Sequence, residues 1–478
     1  MKSDDFPPPH DADDPAVEPR HGPRARPIPG LRPVGPLLCM AAAAAGGPAH
    51  SAASAATPTD TAASRGDPAC ALARFAYPLG STVPGGSTAD LEPFDTMIRG
   101  ADVVGVGEAT HGSSEFCTIK HRLFRHLVEH RGFRGFVFAV HWGAGVRLDA
   151  WARHGTGHLR TIMDEEFQAG SSQWNTVETR DLFRWMRTWN VRHPDDPVRV
   201  AGAGADYADL ALFDTVTAYV ARTRPHLLPE VQRLYRESRP AARMDETIRA
   251  RLARPLADRA RLRADTRRVL SLLEPCPPGT AAAEHELMLR HAAVIARNAT
   301  LFAFDTTDEV EAATRYREWV MADNTLWWQR HTGTKIFLSA HNGHVAARPR
   351  VPAGGPETQG RLLREQLGAR YVNAGFTFGQ GSFNAVDANA PGTPWRRFDI
   401  GPAIAYAGED VLARVSRRDW YLDTRAVPAG PAHAWLAAAH PTRNLGASWP
   451  ADEYENTRLH PTYDILVHVH HISAARHR

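Results

Sequence analysis

Short, almost wholly apolar runs punctuate the chain at Asp102 to Val106, Gly135 to Val140, Val198 to Ala203 and Lys335 to Ser339. Parallel strands covered on both faces read this way. Between the runs the apolar period lengthens to that of a helix. Phe116, Ile119, Leu123 and Leu127 recur along Phe116 to Arg131. Leu91 to Ile98, Val146 to Arg153 and Thr179 to Val191 also predict helices. Strands alternating with helices at this spacing predict βαβ units and a mostly parallel sheet, an α/β fold.

From Tyr207 to His331 the strand signal disappears. Arg249 to Leu273, Glu284 to Phe304 and Glu311 to His331 predict helices, broken up by Pro255 and by Cys276-Pro277-Pro278. The arginines of the first segment alternate with Glu246, Asp258 and Asp265, the pattern of a solvated face. This block, residues 206–333, predicts a large helical insertion or lid on the α/β core. The strand pattern resumes at Lys335 to Ser339. Arg361 to Leu367 and Val411 to Val415 predict helices. Tyr371 to Phe376, Ser382 to Val386, Trp420 to Thr424 and Tyr463 to Val469 predict strands.

Residues 1–66 predict a disordered N-terminus, and residues 67–478 the folded domain. Thr57 to Ser87 reads as a lead-in, with regular structure beginning near Ala89. The apolar run Val34 to Gly47 is shorter than the roughly 20 residues a membrane span needs. Arg24, Arg26 and Arg32 precede it and Ala53-Ser54-Ala55 follows, which predicts a signal peptide and secretion. The other reading is a cytoplasmic protein with a low-complexity start. A net charge of +3 and the lack of a basic stripe interleaved with aromatics give no case for nucleic acid. The four cysteines show no Cys-x-x-Cys spacing. Cleavage would remove Cys39, and Cys70, Cys117 and Cys276 could then form at most one disulfide.

Two of the apolar runs end in titratable residues. Val103 to Val106 leads into Gly107-Glu108-Ala109-Thr110-His111-Gly112, and Lys335 to Ser339 into Ala340-His341-Asn342-Gly343-His344. Open α/β sheets bind ligands at the carboxyl ends of their strands. The glycines at 105, 107 and 112 predict a sharp backbone turn. A histidine beside a carboxylate can act as general base on water. Three readings fit these residues: a hydrolytic site, a structural turn with a hydrogen-bonded histidine, and a metal site of three histidines and a glutamate. The His-Glu-x-x-His pattern of one class of metal site does not occur.

Together the two motifs resemble the erythromycin esterase family. Tyr316-Arg317-Glu318-Trp319-Val320-Met321-Ala322 resembles that family's Arg-Asp-x-x-Met-Ala helix. Trp185-Met186-Arg187, Gly375-Phe376-Thr377-Phe378 and Tyr463-Asp464-Ile465-Leu466-Val467 extend the likeness, from about Gly85 to Ala475. The resemblance implies a three-layer core around the mostly parallel sheet. It implies metal-independent hydrolysis of a small-molecule ester or lactone with no cofactor, as in members that open the macrolactone of erythromycin-type antibiotics. It places the catalytic base on His111, its acidic partner on Glu108 and the paired histidines on His341 and His344. It places a helix arginine on Arg317 and a basic residue on Lys120 (arginine in the resistance enzymes), and with Asn342 and His141 these are the expected substrate contacts. Two positions depart from the pattern. The family's second-strand glutamate falls on Ala139, and an aspartate after the third strand falls on Gly204, where a shift of two would bring in Asp206. These departures keep open a homologue that binds without turnover; the same histidines keep open a metal-dependent hydrolase.

Overall fold

The computed structural model describes residues 67–347, 357–390 and 394–478. The signal peptide and disorder expected in residues 1–66 lie outside the described residues. Twelve strands are present among them: β1 (Tyr77–Pro78), β2 (Val103–Val106), β3 (Phe133–His141), β4 (Arg199–Gly204), β5 (Lys335–Ser339), β6 (Tyr371–Asp387), β7 (Arg396–Ile400), β8 (Trp420–Asp423), β9 (Ala439–Arg443), β10 (Ser448–Trp449), β11 (Tyr454–Arg458) and β12 (Ile465–Ile472). The main sheet runs β1-β8-β12-β6-β2-β5-β3-β4. Every pairing from β12 across to β4 is parallel. β8 and β1 continue one edge in the antiparallel sense. The fold is therefore the mixed α/β architecture, with a mostly parallel sheet, that the alternating pattern predicts.

Strand alternation sends neighbouring residues into two separate cores, one on each face. Val104 and Val106 of β2, Phe337 of β5 and Phe136 and Phe138 of β3 join Phe116, Ile119, Leu123, Phe183 and Met186 in one core. Val103, Ile336, Leu338 and Val137, the intervening residues, join the other core. That second core is closed by Phe213, Val216, Ile295, Val320, Met321 and Trp328. The block from Leu210 to Thr332 is helical, as expected. Its last helix, Val310–Thr332, lies against the sheet as part of a helical layer.

The structure adds to the sequence reading the strands β7, β9, β10 and β11, and differs from it elsewhere. Regular structure begins earlier than Ala89, with the helix Pro68–Leu72 and β1. The helix expected from Val146 starts at Trp142, because His141 caps it by accepting from the Ala144 amide at 3.3 Å. The helix Leu159–Glu166 was not anticipated. The two strands expected at Tyr371 to Phe376 and Ser382 to Val386 are one, β6, paired with β12 without interruption through Gly381. Gly381 has φ of 133°, and a Cβ there would stand 2.0 Å from the Ile472 carbonyl. Glycine here allows close approach; it does not break the strand.

The path of the chain sets up the site. It runs outward from β2 through β3 to β4, returns to β5 beside β2, and crosses to β6 on the other flank of β2. Such a reversal leaves a crevice at the carboxyl ends of the strands.

Candidate active site

Four adjacent strands end in polar residues: Glu108 and His111 after β2, His341 and His344 after β5, His141 on β3, and Asp206 after β4. The chain turns at His111 and Gly112, without left-handed glycine backbone. None of Gly105, Gly107 and Gly112 has a positive φ. They make room. A Cβ on Gly107 would stand 2.2 Å from Asn342 Oδ1, and one on Gly112 would stand 2.0 Å from the Asn384 carbonyl. Asn342, expected on the substrate, instead knits the strand ends together. Its Nδ2 donates to the Phe376 carbonyl at 2.7 Å and its Oδ1 accepts from the Phe376 amide at 3.0 Å. Its own amide donates to the Glu108 carbonyl at 2.9 Å.

His111 Nδ1 lies 2.7 Å from Glu108 Oε1, and the Lys120 ammonium donates to Glu108 Oε2 at 2.6 Å. Lys120, also expected on the substrate, is buried behind Glu108, with a further bond of 2.9 Å to the Ala340 carbonyl. Burial alone would raise the Glu108 pKa, but Lys120 and His111 outweigh it and hold the carboxyl below its ordinary value. An ionised Glu108 fixes the proton of His111 on Nδ1 and leaves the Nε2 lone pair free to accept one. Only 14% of the His111 side chain is exposed, against 1% for Glu108. The Trp174 ring stands edge-on to His111, centroids 5.6 Å apart.

His344 repeats the arrangement. Its Nδ1 lies 2.7 Å from Glu318 Oε1, and Glu318 Oε2 accepts from the Gln359 amide at 2.8 Å. Burial would raise Glu318, but His344 and Arg317 hold it below the ordinary carboxylate value. Here the cation is in front: Arg317 Nη1 sits 3.4 Å from His344 Nε2. Arg317 Nε donates to Asp206 Oδ1 at 3.1 Å. The side chains of His344, Arg317 and Asp206 are 17%, 14% and 19% exposed. His341 lies between the two arrangements, its ring 4.7 Å from that of His111. Its Nε2 donates to the Leu445 carbonyl at 2.9 Å and its Nδ1 accepts from the Gly343 amide at 3.2 Å.

The two departures take physical form at the neighbouring strand ends. Ala139 is half-buried on β3 and carries no charge. An acid arrives from elsewhere: Glu166, ending the unanticipated helix, forms an ion pair with His141 at 3.1 Å and another with Arg147. Burial would lower the His141 pKa, but Glu166 outweighs it and holds it above its ordinary value. Expected to bind substrate, His141 is buried with its partner. A Cβ on Gly204 would stand 3.2 Å from both Asp206 Oδ2 and the Val140 carbonyl, so a larger side chain would be crowded there. Asp206, two residues on, supplies the carboxylate.

Sequence reasoning missed Glu166, Glu318 and the strap around Leu445. Glu318 adjoins Arg317 on the same helix, and its charge is the only local signal. Glu166 ends an acidic run, Asp164-Glu165-Glu166, on an amphipathic helix. Nothing local marks Leu445, whose amide donates to the Ala109 carbonyl at 2.7 Å while its carbonyl holds His341.

Among the described residues, no three His, Cys, Asp or Glu side chains are grouped as a metal would need. His126 and His130 stand one helical turn apart, but both ring nitrogens of His126 are engaged by Thr88 and Asp95 at 2.9 Å. Cys70, Cys117 and Cys276 are all free thiols. Among the described residues no helix is long and apolar enough to cross a membrane.

Residues 128–472 match the family described as erythromycin esterase. The match opens inside the helix Ser114–Arg131, after the Gly107–Gly112 motif. The chain is 22% identical to an erythromycin esterase type II of Escherichia coli over 314 residues, 60% of this chain and 71% of that one. It resembles the crystal structure of a succinoglycan biosynthesis protein, with a TM-score of 0.76 at 26% identity, over 86% of this chain and 98% of the other. A protein from Bacillus cereus shares the fold with a TM-score of 0.78 at 24% identity, over 86% and 98%. A mutant of the erythromycin esterase EreC in its open conformation shares it with a TM-score of 0.63 at 16% identity, over 82% and 97%.

Proposed function

Since this chain belongs to the erythromycin esterase family, we propose that it hydrolyses a carboxylic ester or lactone, with His111 as general base. Family membership supports a hydrolase acting on a small molecule. The observation that carries the finer reading is His111 itself. Its Nδ1 is tied to a cation-held, ionised Glu108, and its Nε2 lone pair is left for a proton.

His111 Nε2 takes a proton from water, and the water oxygen bonds to the carbonyl carbon. The carbonyl π pair moves onto oxygen. Glu108 stabilises the imidazolium through Nδ1–H. Arg317, held by Asp206 and by His344 Nε2, faces the developing oxyanion, and Glu318 fixes His344 in that supporting role. When the intermediate collapses, the carbon–alkoxide bond breaks and the leaving oxygen takes the proton from His111. An acid and an alcohol result, joined in one chain if the substrate is a lactone. The reaction as written needs no metal: both ring nitrogens of His341 and of His344 are already engaged. Stoichiometric metal in the purified protein, with activity lost to chelator, would overturn that part.

The test is a panel of macrolactones and aryl esters assayed with wild type and His111→Ala. Hydrolysis by wild type that collapses in the folded variant supports the proposal; equal rates overturn it. A non-catalytic homologue was suggested by Ala139 and Gly204. Asp206 supplies a carboxylate at the second of those strand ends, where it holds Arg317, and that favours turnover. Thermal shifts with macrolides but no hydrolysis of any panel member would favour the binding reading.

A further inference from the structure

The helical block holds a small cavity behind the end of β4, where the lining Asn298 donates to the Ala205 carbonyl at 2.8 Å. It lies among the helices Leu210–Thr223, Met244–Leu252, Leu256–Leu273 and Ala282–Ala303, walled by Phe213, Leu262, Ile295 and Phe302. Its free volume is about 10 Å³, room for one water-sized occupant.

The apolar walls surround two guanidinium groups, Arg251 and Arg259, each less than a tenth exposed. Their acceptors among the described residues are neutral. Arg251 donates to Asn298 Oδ1 and to the Ser238 carbonyl. Arg259 donates to the carbonyls of Phe302 and Phe304 at 3.0 and 3.2 Å. Two further polar atoms in the lining, Ser238 Oγ and Arg259 Nε, are buried with no partner. Burial lowers Arg251 to about 10, which leaves it charged at neutral pH. Carbonyl dipoles satisfy N–H groups but do not cancel net charge. Buried charge without a counter-charge is strongly disfavoured, and arginine does not escape by losing its proton.

We infer that this cavity is a binding site for one small monovalent anion of the chloride class, held by Arg251, Arg259 and the Ser238 hydroxyl. The two guanidiniums supply the charge, and Ser238 Oγ and Arg259 Nε supply donors that lack acceptors. The volume admits a halide and excludes sulfate, phosphate and organic carboxylates.

The test is diffraction from bromide-soaked crystals of the full chain, recorded at the bromine edge. The expected result is an anomalous peak between Arg251 and Arg259 that is absent in Arg259→Met. In solution, the Tm of wild type should rise with the logarithm of bromide or chloride concentration against gluconate at constant ionic strength. Ser238→Ala, a milder change should Arg259→Met fail to fold, should shift that dependence to about tenfold higher halide. No peak in the cavity, meaning that water alone fills it, overturns the assignment. So does a peak that Arg259→Met leaves in place, or a halide dependence that Ser238→Ala leaves unmoved.

Discussion

The molecule builds one device twice on adjacent strands. After β2, His111 Nδ1 stands 2.7 Å from Glu108; after β5, His344 Nδ1 stands 2.7 Å from Glu318. Both carboxylates are buried and held below their ordinary pKa. Both histidines are slightly exposed. The two devices differ in where the cation sits. Lys120 stands behind Glu108, on its far oxygen, and leaves His111 Nε2 open. Arg317 stands in front of His344, against Nε2 itself. A cation behind the carboxylate fixes the anion without opposing protonation of the imidazole. A cation against the imidazole opposes it directly. The first device suits a base, and the second suits a donor surface for an oxyanion.

The sharpest way to break this comparison is to remove each histidine. His111→Ala should lower kcat by about 10³-fold, within the range for losing a general base, with the fold retained by circular dichroism. His344→Ala should cost about tenfold, chiefly in KM, since it removes a support of Arg317 and not the base of the reaction. Equal losses in steady-state kinetics would erase the distinction.

The next effect concerns the cation behind. Lys120→Met leaves a buried carboxylate without its partner, and breaking such a pair costs about 3–5 kcal/mol of stability. The pH sign follows from the depressed Glu108. Its stabilisation is fully present above the ordinary glutamate value near 4.5 and is lost as pH falls through the lower folded value. In Lys120→Met that folded value rises, so the acid limbs of unfolding and of kcat should both move to higher pH. Urea midpoints and pH–rate profiles measured from pH 4 to pH 8 check this.

Much of this was legible in the sequence, for physical reasons. Val103 to Val106 and Ile336 to Ser339 are buried on both faces, so their composition declares them. His111, Glu108, His341 and His344 follow those strands directly and inherit their position. The direction of a side chain is not written locally. Lys120 and Asn342 have the right chemistry for a ligand, but both turn inward. Glu166 and Leu445 reach the strand ends from far along the chain, and no local period reports such a contact. The three glycines around Glu108 announce a turn but not what fills the space beside them. Their role, room for Tyr371, Asn342 and Asn384, depends on what packs against them.

Arg317 offers a smaller effect on the second device. Arg317→Lys keeps the charge but loses the fork that spans Asp206 and His344. The expected outcome is a KM rise of about tenfold with kcat within about threefold of wild type. A kcat collapse in Arg317→Lys matching that of His111→Ala would place Arg317 in the proton transfer and undo the division of labour.

The smallest effect lies in a third His–Glu pair, which acts as the buried control. His141 and Glu166 are paired below the surface, beside Asp209. Burial, and then the charge of Glu166, push Asp209 up to about 6. The sign is opposite to that of Glu108. The folded state holds the Asp209 proton more tightly than the unfolded chain does, so stability is lost as pH rises from about 4 through 6. Asp209→Asn stays neutral and can still cap the helix Leu210–Thr223, where Asp209 accepts from the Leu212 amide at 3.2 Å. It should therefore match wild type near pH 4 and exceed its Tm by about 2 °C above pH 6.5. Its kcat should stay within about twofold of wild type, because this pair offers no open nitrogen to solvent. A large kcat loss in Asp209→Asn would instead make the buried pair part of the working site and give Glu166 the role that Ala139 vacated.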